Sequence, residues 1–167
     1  LARTALRSTR RIIADLRPQV LEELGLVAAL HDLGEVHTAR TGTPCQVETD
    51  ESLDHLELPP PVSGCLYRVA QEAMNNIAKH AHASRAGIAL HRGDDGELHL
   101  RVTDDGCGFA ADAGPRPQAF GLMGMAERVH AVGGRLSILS GSQSGTVVEV
   151  VLPPGGQAAQ PGEAARP

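Results

Sequence analysis

QEAMNNIAKHAHAS, residues 71–84, sets the reading of the whole chain. It carries Glu72, two Asn, Lys79 and two His among small apolar residues. At about 100° per residue, Leu66, Val69, Ala70, Ala73, Ile77 and Ala81 share one helix face, which packs on a sheet. Glu72, Asn76, Lys79 and His80 form a separate row at i, i+4, i+7 and i+8. That row lies along the flank of the apolar stripe, where a helix borders a sheet edge and a pocket can open. The oxygens of Glu and Asn suit a hard cation such as Mg²⁺, which takes one or two protein ligands plus phosphate oxygens. Lys and His beside them suit the phosphates. Taken alone, the row also reads as a solvated helix face with an i,i+4 Glu/Asn pair.

Downstream, residues 85–92 (RAGIALHR) and 97–104 (ELHLRVTD) read as two strands joined by a Gly93-Asp94-Asp95-Gly96 hairpin turn. Leu98, Leu100 and Val102 face one way, and His99, Arg101 and Thr103 the other. Asp104-Asp105-Gly106-Cys107-Gly108-Phe109 follows directly. A carboxylate at a strand end can accept a hydrogen bond from an exocyclic amine, and glycines let the backbone approach a flat ring. Alone, the same segment is an ordinary turn. Thirteen residues after Gly108, Gly121-Leu122-Met123-Gly124-Met125 opens a third helix, about 122–132, that stops at Gly133-Gly134. Free N–H groups and the dipole at a helix start favour an anion. The Gly/Pro/Ala-rich loop between them, 109–120, is expected to become ordered around a triphosphate. Strands at 135–140 and 146–152 close the fold, and a Pro/Gly/Ala-rich tail is expected to be disordered.

Upstream, residues 1–39 read as helix, with an interruption expected at Arg17-Pro18, where the ring removes a backbone donor. Thr41-Gly42-Thr43-Pro44 ends the helix, CQVETD (45–50) alternates like a short strand, and Leu58-Pro59-Pro60-Pro61 precedes a second helix, about 62–82. The fold expected is a two-layer α/β sandwich, with three helices on one face of a mixed sheet.

Composition narrows the function classes. The chain has 167 residues, a net charge of −5, no Trp, one Tyr and two Phe. The core is therefore aliphatic, and the acidic balance argues against nucleic acid as a partner. No apolar run reaches membrane-spanning length, so no membrane contact is expected of this segment. Its three cysteines form no CxxC pair, which favours neither a zinc site nor a disulfide framework, and a reducing cytoplasm is the default. The eight His are scattered, with His80 and His82 the only close pair. The chain opens at Leu1, already inside a helical pattern, and reads as a piece of a longer protein.

The order of these segments resembles the ATP-binding domain shared by histidine kinases, type II topoisomerases, heat-shock chaperones and mismatch-repair ATPases, over about residues 44–153. Residues 72–81 resemble the N box, 104–109 the first glycine box and 121–125 the second. Gly145-Thr146-Val147-Val148 resembles the strand whose Thr closes the adenine pocket. EAMNNIAKHAHAS and GLMGMAERV resemble sensor histidine kinases that signal to response regulators with LuxR-type DNA-binding outputs. DLRPQVLEELGLVAAL (15–30) resembles the second helix of their dimerisation and phosphotransfer hairpin.

The resemblance implies that the chain binds ATP and Mg²⁺ and divides into a hairpin helix (1–40), a catalytic domain (44–153) and a tail (154–167). It implies that Asn76 holds Mg²⁺, Asp104 reads the adenine amine, Gly106 and Gly108 shape the pocket, and Thr146 closes it. Gly121 and Gly124, with Leu122 and Met125 in the same box, flank the triphosphate, and Lys79 and His80 lie toward it. Glu72 polarises the nucleophile or orients the site. Cys107 is inert filler. The full-length protein would be a homodimer, cytoplasmic in this part, with membrane anchoring upstream left open. A phosphoacceptor His is expected before Leu1; His31-Asp32 copies the usual His-acid dipeptide but falls on the second helix. Two other readings stay open: a regulatory ATP-binding module without autokinase activity, and a serine kinase of an anti-sigma system.

Overall fold

The computed structural model describes residues 2–54, 56–108, 118–141 and 144–154, with the side chains of 2–18 and 118–120 left out. In chain order the elements are α1 (Ala2–Thr41), β1 (Cys45–Thr49), a 3₁₀ turn (Glu51–Leu53), α2 (Pro60–Asn76), a π turn (Ile77–Ala81), β2 (Ala86–Arg92), β3 (Leu98–Asp104), α3 (Gln118–Ala131), β4 (Arg135–Ser140) and β5 (Thr146–Leu152).

The strands form one sheet in the order β1-β2-β3-β5-β4. β1 runs parallel to β2, and every other neighbouring pair is antiparallel. Alternation along the strands decides which face is covered. Ile88, Leu90, Leu98, Leu100, Val102, Val148, Val150 and Leu152 are buried. Their strand neighbours Ala89, His91, His99, Thr103 and Glu149 are half-buried, and Arg101 is exposed. The helices pack on the buried face. Leu66, Val69, Ala70, Ala73, Ile77 and Ala81, the stripe read from the sequence, are all buried. Leu26, Ala29, Leu30 and Leu33 of α1 and Met125, Val129 and Val132 at α3 join the same core. The fold is the expected α/β architecture of a mixed sheet covered by helices and preceded by an N-terminal helix.

Local details depart from the expectation. α1 continues as helix through Arg17 and Pro18, and its break falls at Gly25, with φ 83° and ψ 178°. Only glycine adopts that backbone without strain. α2 begins earlier than expected because prolines occupy its first turn, where a missing N–H costs nothing. It ends at Asn76 and passes into the π turn, whose cap, His82, is left-handed at φ 51°. α3 begins at Gln118, so Gly121, expected just ahead of the helix, lies within it, as Gly124 does. The tail from 155 and most of the 109–120 loop lie outside the described residues.

Candidate functional site

A cavity of about 300 Å³ opens where α2, the π turn, β3, β5 and α3 meet. Its walls carry Asn76, Lys79, His80, Asp104, Gly108, Leu122 and Thr146 of the residues singled out from the sequence. Ile77, Val102 and Val148 add an apolar surface. One side therefore offers flat apolar walls around a carboxylate, and another offers an amide, an amine and an imidazole.

Asp104 ends β3 on the same face as Val102. Its Oδ1 accepts the Gly106 N–H at 2.8 Å. Across the strand pair it faces Thr146. Burial pushes the Asp104 carboxyl above its ordinary 3.8; hydrogen bonds from Gly106 and Thr146 oppose this, and the Asp105 charge adds to it. The Thr146 hydroxyl also lies 3.0 Å from the Ser140 hydroxyl, and Ser140 donates to the Gly145 carbonyl at 3.2 Å. A half-buried acceptor is thus held in place with capacity left for a donor from the cavity.

The two glycines after Asp104 answer to close packing. A Cβ on Gly106 would run into the Ala81 carbonyl oxygen, and one on Gly108, at φ +60°, into the Gly141 carbonyl oxygen. Gly106 lies behind the cavity wall. The backbone here is tied on both sides: Cys107 N–H donates to the Ala81 carbonyl at 2.8 Å, and Gly145 N–H to the Gly106 carbonyl at 3.0 Å.

The remaining candidates lie at or beyond the border. Glu72 is not on the cavity wall; its Oε1 stands 2.6 Å from where a Cβ of Gly121 would be. It joins α2 to the first turns of α3. A Cβ on Gly124 would stand 3.1 Å from Arg128 Nη1, on the side of α3 that carries that guanidinium. Met125 is fully buried, a core side chain rather than a wall of the cavity.

Besides the apolar wall residues, His82 and Cys107 also line the cavity without having been given a binding role by sequence reasoning. Cys107 sits between the two glycines and is exposed; it is placed by their backbone, and only that flanking hinted at it. His82 reaches the cavity because the π turn alters the helical phase, which a regular 100° spacing does not foresee. Away from the cavity, the ligand atoms of Asp95, Glu97 and His99 gather within 4.8 Å at the β2–β3 hairpin. They are partly exposed, and Glu97 already binds Arg135 at 3.0 and 3.2 Å. His31 is exposed and borders a separate groove with Glu35, Thr38 and Cys45. Among the described residues, no helix is long and apolar enough to cross a membrane.

Comparison with known proteins adds independent observations. The family described as histidine kinase-, DNA gyrase B-, and HSP90-like ATPase matches residues 63–156. The sensor histidine kinase MctS of Rhizobium johnstonii is 36% identical over 151 residues, covering 89% of this chain and 32% of the relative. The signal transduction histidine-protein kinase/phosphatase UhpB of Salmonella typhimurium is 38% identical over 147 residues, covering 87% and 28%. The sensor histidine kinase LiaS of Bacillus subtilis is 31% identical over 153 residues, covering 92% and 41%. The chain thus spans well under half the length of these relatives. Among solved structures, the histidine kinase domain of the Erythrobacter litoralis EL346 blue-light activated histidine kinase superposes with a TM-score of 0.66 at 22% identity, over 87% of this chain and 73% of that one. That likeness speaks for the fold.

Proposed function

Because the chain belongs to the histidine kinase-, DNA gyrase B-, and HSP90-like ATPase family, we propose that it is the ATP-binding catalytic part of a two-component sensor histidine kinase. The carrying observation is that one cavity gathers Asn76, Lys79, His80, Asp104, Leu122 and Thr146 from separate elements. Sensor histidine kinases among its relatives support the narrower choice within the family.

The residues fit a nucleotide. Asp104 accepts the adenine amine, with Thr146 and Gly106 fixing its carboxylate. Ile77, Val102 and Val148 cover the ring. Gly108 lets the wall backbone pack against the Gly141 carbonyl, and Leu122 closes the cavity from α3. The Asn76 side-chain oxygen would hold Mg²⁺, which supplies charge neutralisation between phosphate oxygens. Lys79 and His80, both exposed, attract the triphosphate. Glu72 lies against Gly121 between α2 and α3, and it polarises the nucleophile or orients the site. Phosphoryl transfer depends on in-line positioning, so these residues act by placing the reactants.

In the full-length protein the terminal phosphate passes to a His on a helix upstream of residue 1. Residues 1–40 supply the second hairpin helix of a homodimeric four-helix bundle. The phosphoryl group then moves to a response regulator with a LuxR-type output, in the cytoplasm. Calorimetric titration with ATP and Mg²⁺ tests the reading. Binding weakened by both Asp104→Asn and Asn76→Ala is the expected result; unchanged affinity in both variants would refute the site.

A further inference from the structure

We infer that Asp105 is a positioning residue for the nucleotide site, strapping the turn that carries Asp104 to the segment leaving the π turn. The inference rests on the nucleotide reading of the cavity.

Alternation at the end of β3 sends Asp104 inward and Asp105 to the exposed rim. There the Asp105 carboxylate accepts three hydrogen bonds. Its Oδ1 takes the Ser84 N–H at 2.8 Å and the Arg85 N–H at 2.9 Å, and its Oδ2 takes the Ser84 hydroxyl at 2.6 Å. Its own N–H donates to the Arg85 carbonyl at 3.3 Å. The Arg85 guanidinium stands 3.5 Å away, but that side chain is 82% exposed and adds little. The Ser84 hydroxyl, followed by the Arg85 N–H, holds the carboxyl down to about 2, so Asp105 is an anion at any ordinary pH.

Two properties of the segment it grips give this strap a consequence. Residues 81–85 meet 105–107 through main-chain bonds, Cys107 N–H to the Ala81 carbonyl at 2.8 Å and Asp105 N–H to the Arg85 carbonyl at 3.3 Å. Between them His82 is held at φ 51°, a conformation that a non-glycine residue keeps only when its surroundings impose it. Among the described residues the Asp104 carboxylate is held by its own turn and by Thr146, while its backbone pairs with Ala86 of β2, the strand that begins just after the gripped segment. Without the Asp105 carboxylate, the 82–85 segment relaxes, the 104–107 turn loses its outer support, and Asp104 no longer meets an amine at a fixed position.

The test compares ATP with inosine triphosphate, each with Mg²⁺, by calorimetry on the whole chain. Hypoxanthine places an oxo acceptor where adenine places an amine, so the preference for ATP reads the Asp104 contact and not phosphate binding. Wild type is expected to prefer ATP by roughly tenfold to a hundredfold. Asp105→Ala is expected to reduce that preference at least about fivefold, while affinity for inosine triphosphate stays within about twofold. Asp105→Asn keeps an oxygen for both backbone N–H groups and offers an amide N–H to the Ser84 oxygen, so it should restore the preference. An unchanged preference in Asp105→Ala overturns the proposal, as does an equal loss of both nucleotides, which marks a merely structural residue. If Asp105→Ala fails to fold, Ser84→Ala removes the 2.6 Å bond alone, and an unchanged preference there is equally decisive. A wild-type chain that binds neither nucleotide sinks the nucleotide reading instead.

Discussion

Glu72 and Gly121 meet across the α2–α3 boundary, with the Glu72 Oε1 2.6 Å from the point where a Gly121 side chain would begin. The atom in the way is the far end of a flexible side chain, so a methyl group can be admitted if the carboxylate moves. The pair is therefore a place where geometry can be altered without breaking the fold.

Gly121→Ala should consequently leave thermal stability unchanged or raised by up to about 1 kcal/mol, the helix-propensity difference between the two residues. Phosphoryl transfer, measured with radiolabelled ATP in the full-length protein, should fall, and Glu72→Gln should reproduce the fall. Normal transfer by Gly121→Ala would show that the position of Glu72 is immaterial.

Gly106→Ala and Gly108→Ala should behave in the opposite manner. Each new methyl meets a backbone carbonyl that cannot rotate aside, and Gly108 adds a positive φ. Each should lower stability by about 2 kcal/mol or more in denaturant unfolding. A variant as stable as wild type would mean that the 81–85 and 141–145 segments yield more readily than their hydrogen bonds suggest.

Asp104→Asn should weaken ATP binding by roughly tenfold to a hundredfold, the loss of a hydrogen bond to a charged acceptor. It should also stabilise the nucleotide-free chain. Burial raises the Asp104 carboxyl in the folded state above its unfolded value. The stabilising contribution of this group is therefore complete below the unfolded value of 3.8 and is lost as pH rises through the folded one. At neutral pH the folded chain bears the cost of an ionised, half-buried group, which Asn removes. Thermal melts at pH 7 without nucleotide check the sign.

His37 supplies a pH dependence of the other sign. It is 2% exposed, and neither ring nitrogen has a hydrogen-bond partner among the described residues. Burial, with the Arg40 charge beside it, lowers its value from the ordinary 6.5. The unfolded chain takes up the proton first, so this residue's contribution to stability is present above 6.5 and is lost as pH falls toward and through the folded value. His37→Leu should flatten that part of the profile, and its advantage over wild type should be larger at pH 5 than at pH 8. A constant difference between the two chains would contradict it.

The 167-residue chain should bind ATP yet incorporate almost no phosphate from it, because His31 borders a groove that shares no residue with the nucleotide cavity. Radiolabelling that is strong and vanishes in His31→Ala would contradict this.

What the sequence made legible follows from short-range rules. The β2–β3 hairpin, the β4 and β5 bounds and the buried stripe from Leu66 to Ala81 all rest on periodicity and turn chemistry within a few residues. What it concealed depends on contacts far apart in the chain. Pro18 looked like the breaker of α1, but a proline can be carried in a helix, while Gly25 takes a backbone no other residue sustains. Met125 belongs to a glycine-bounded motif but turns into the core, on the same face as Val129 and Val132 at i, i+4 and i+7. The π turn, the orphan His37 and the three bonds to Asp105 join segments that no local pattern connects.

Gly25 makes α1 one element in the chain and two in mechanics. Leu26, Ala29, Leu30 and Leu33 are buried in the core and Val20 and Leu21 pack against its edge, whereas Leu24, just before the break, is 68% exposed. A twist arriving along the earlier residues reaches the nucleotide-binding body through the Gly25 torsions and through Val20 and Leu21, which pack against the core just ahead of them. Each residue added or removed ahead of Val20 swings the upstream surface by about 100° and leaves the cavity residues where they are. Heading and chemistry can thus be retuned separately, as a weathervane can be reset on its spindle without recutting the blade.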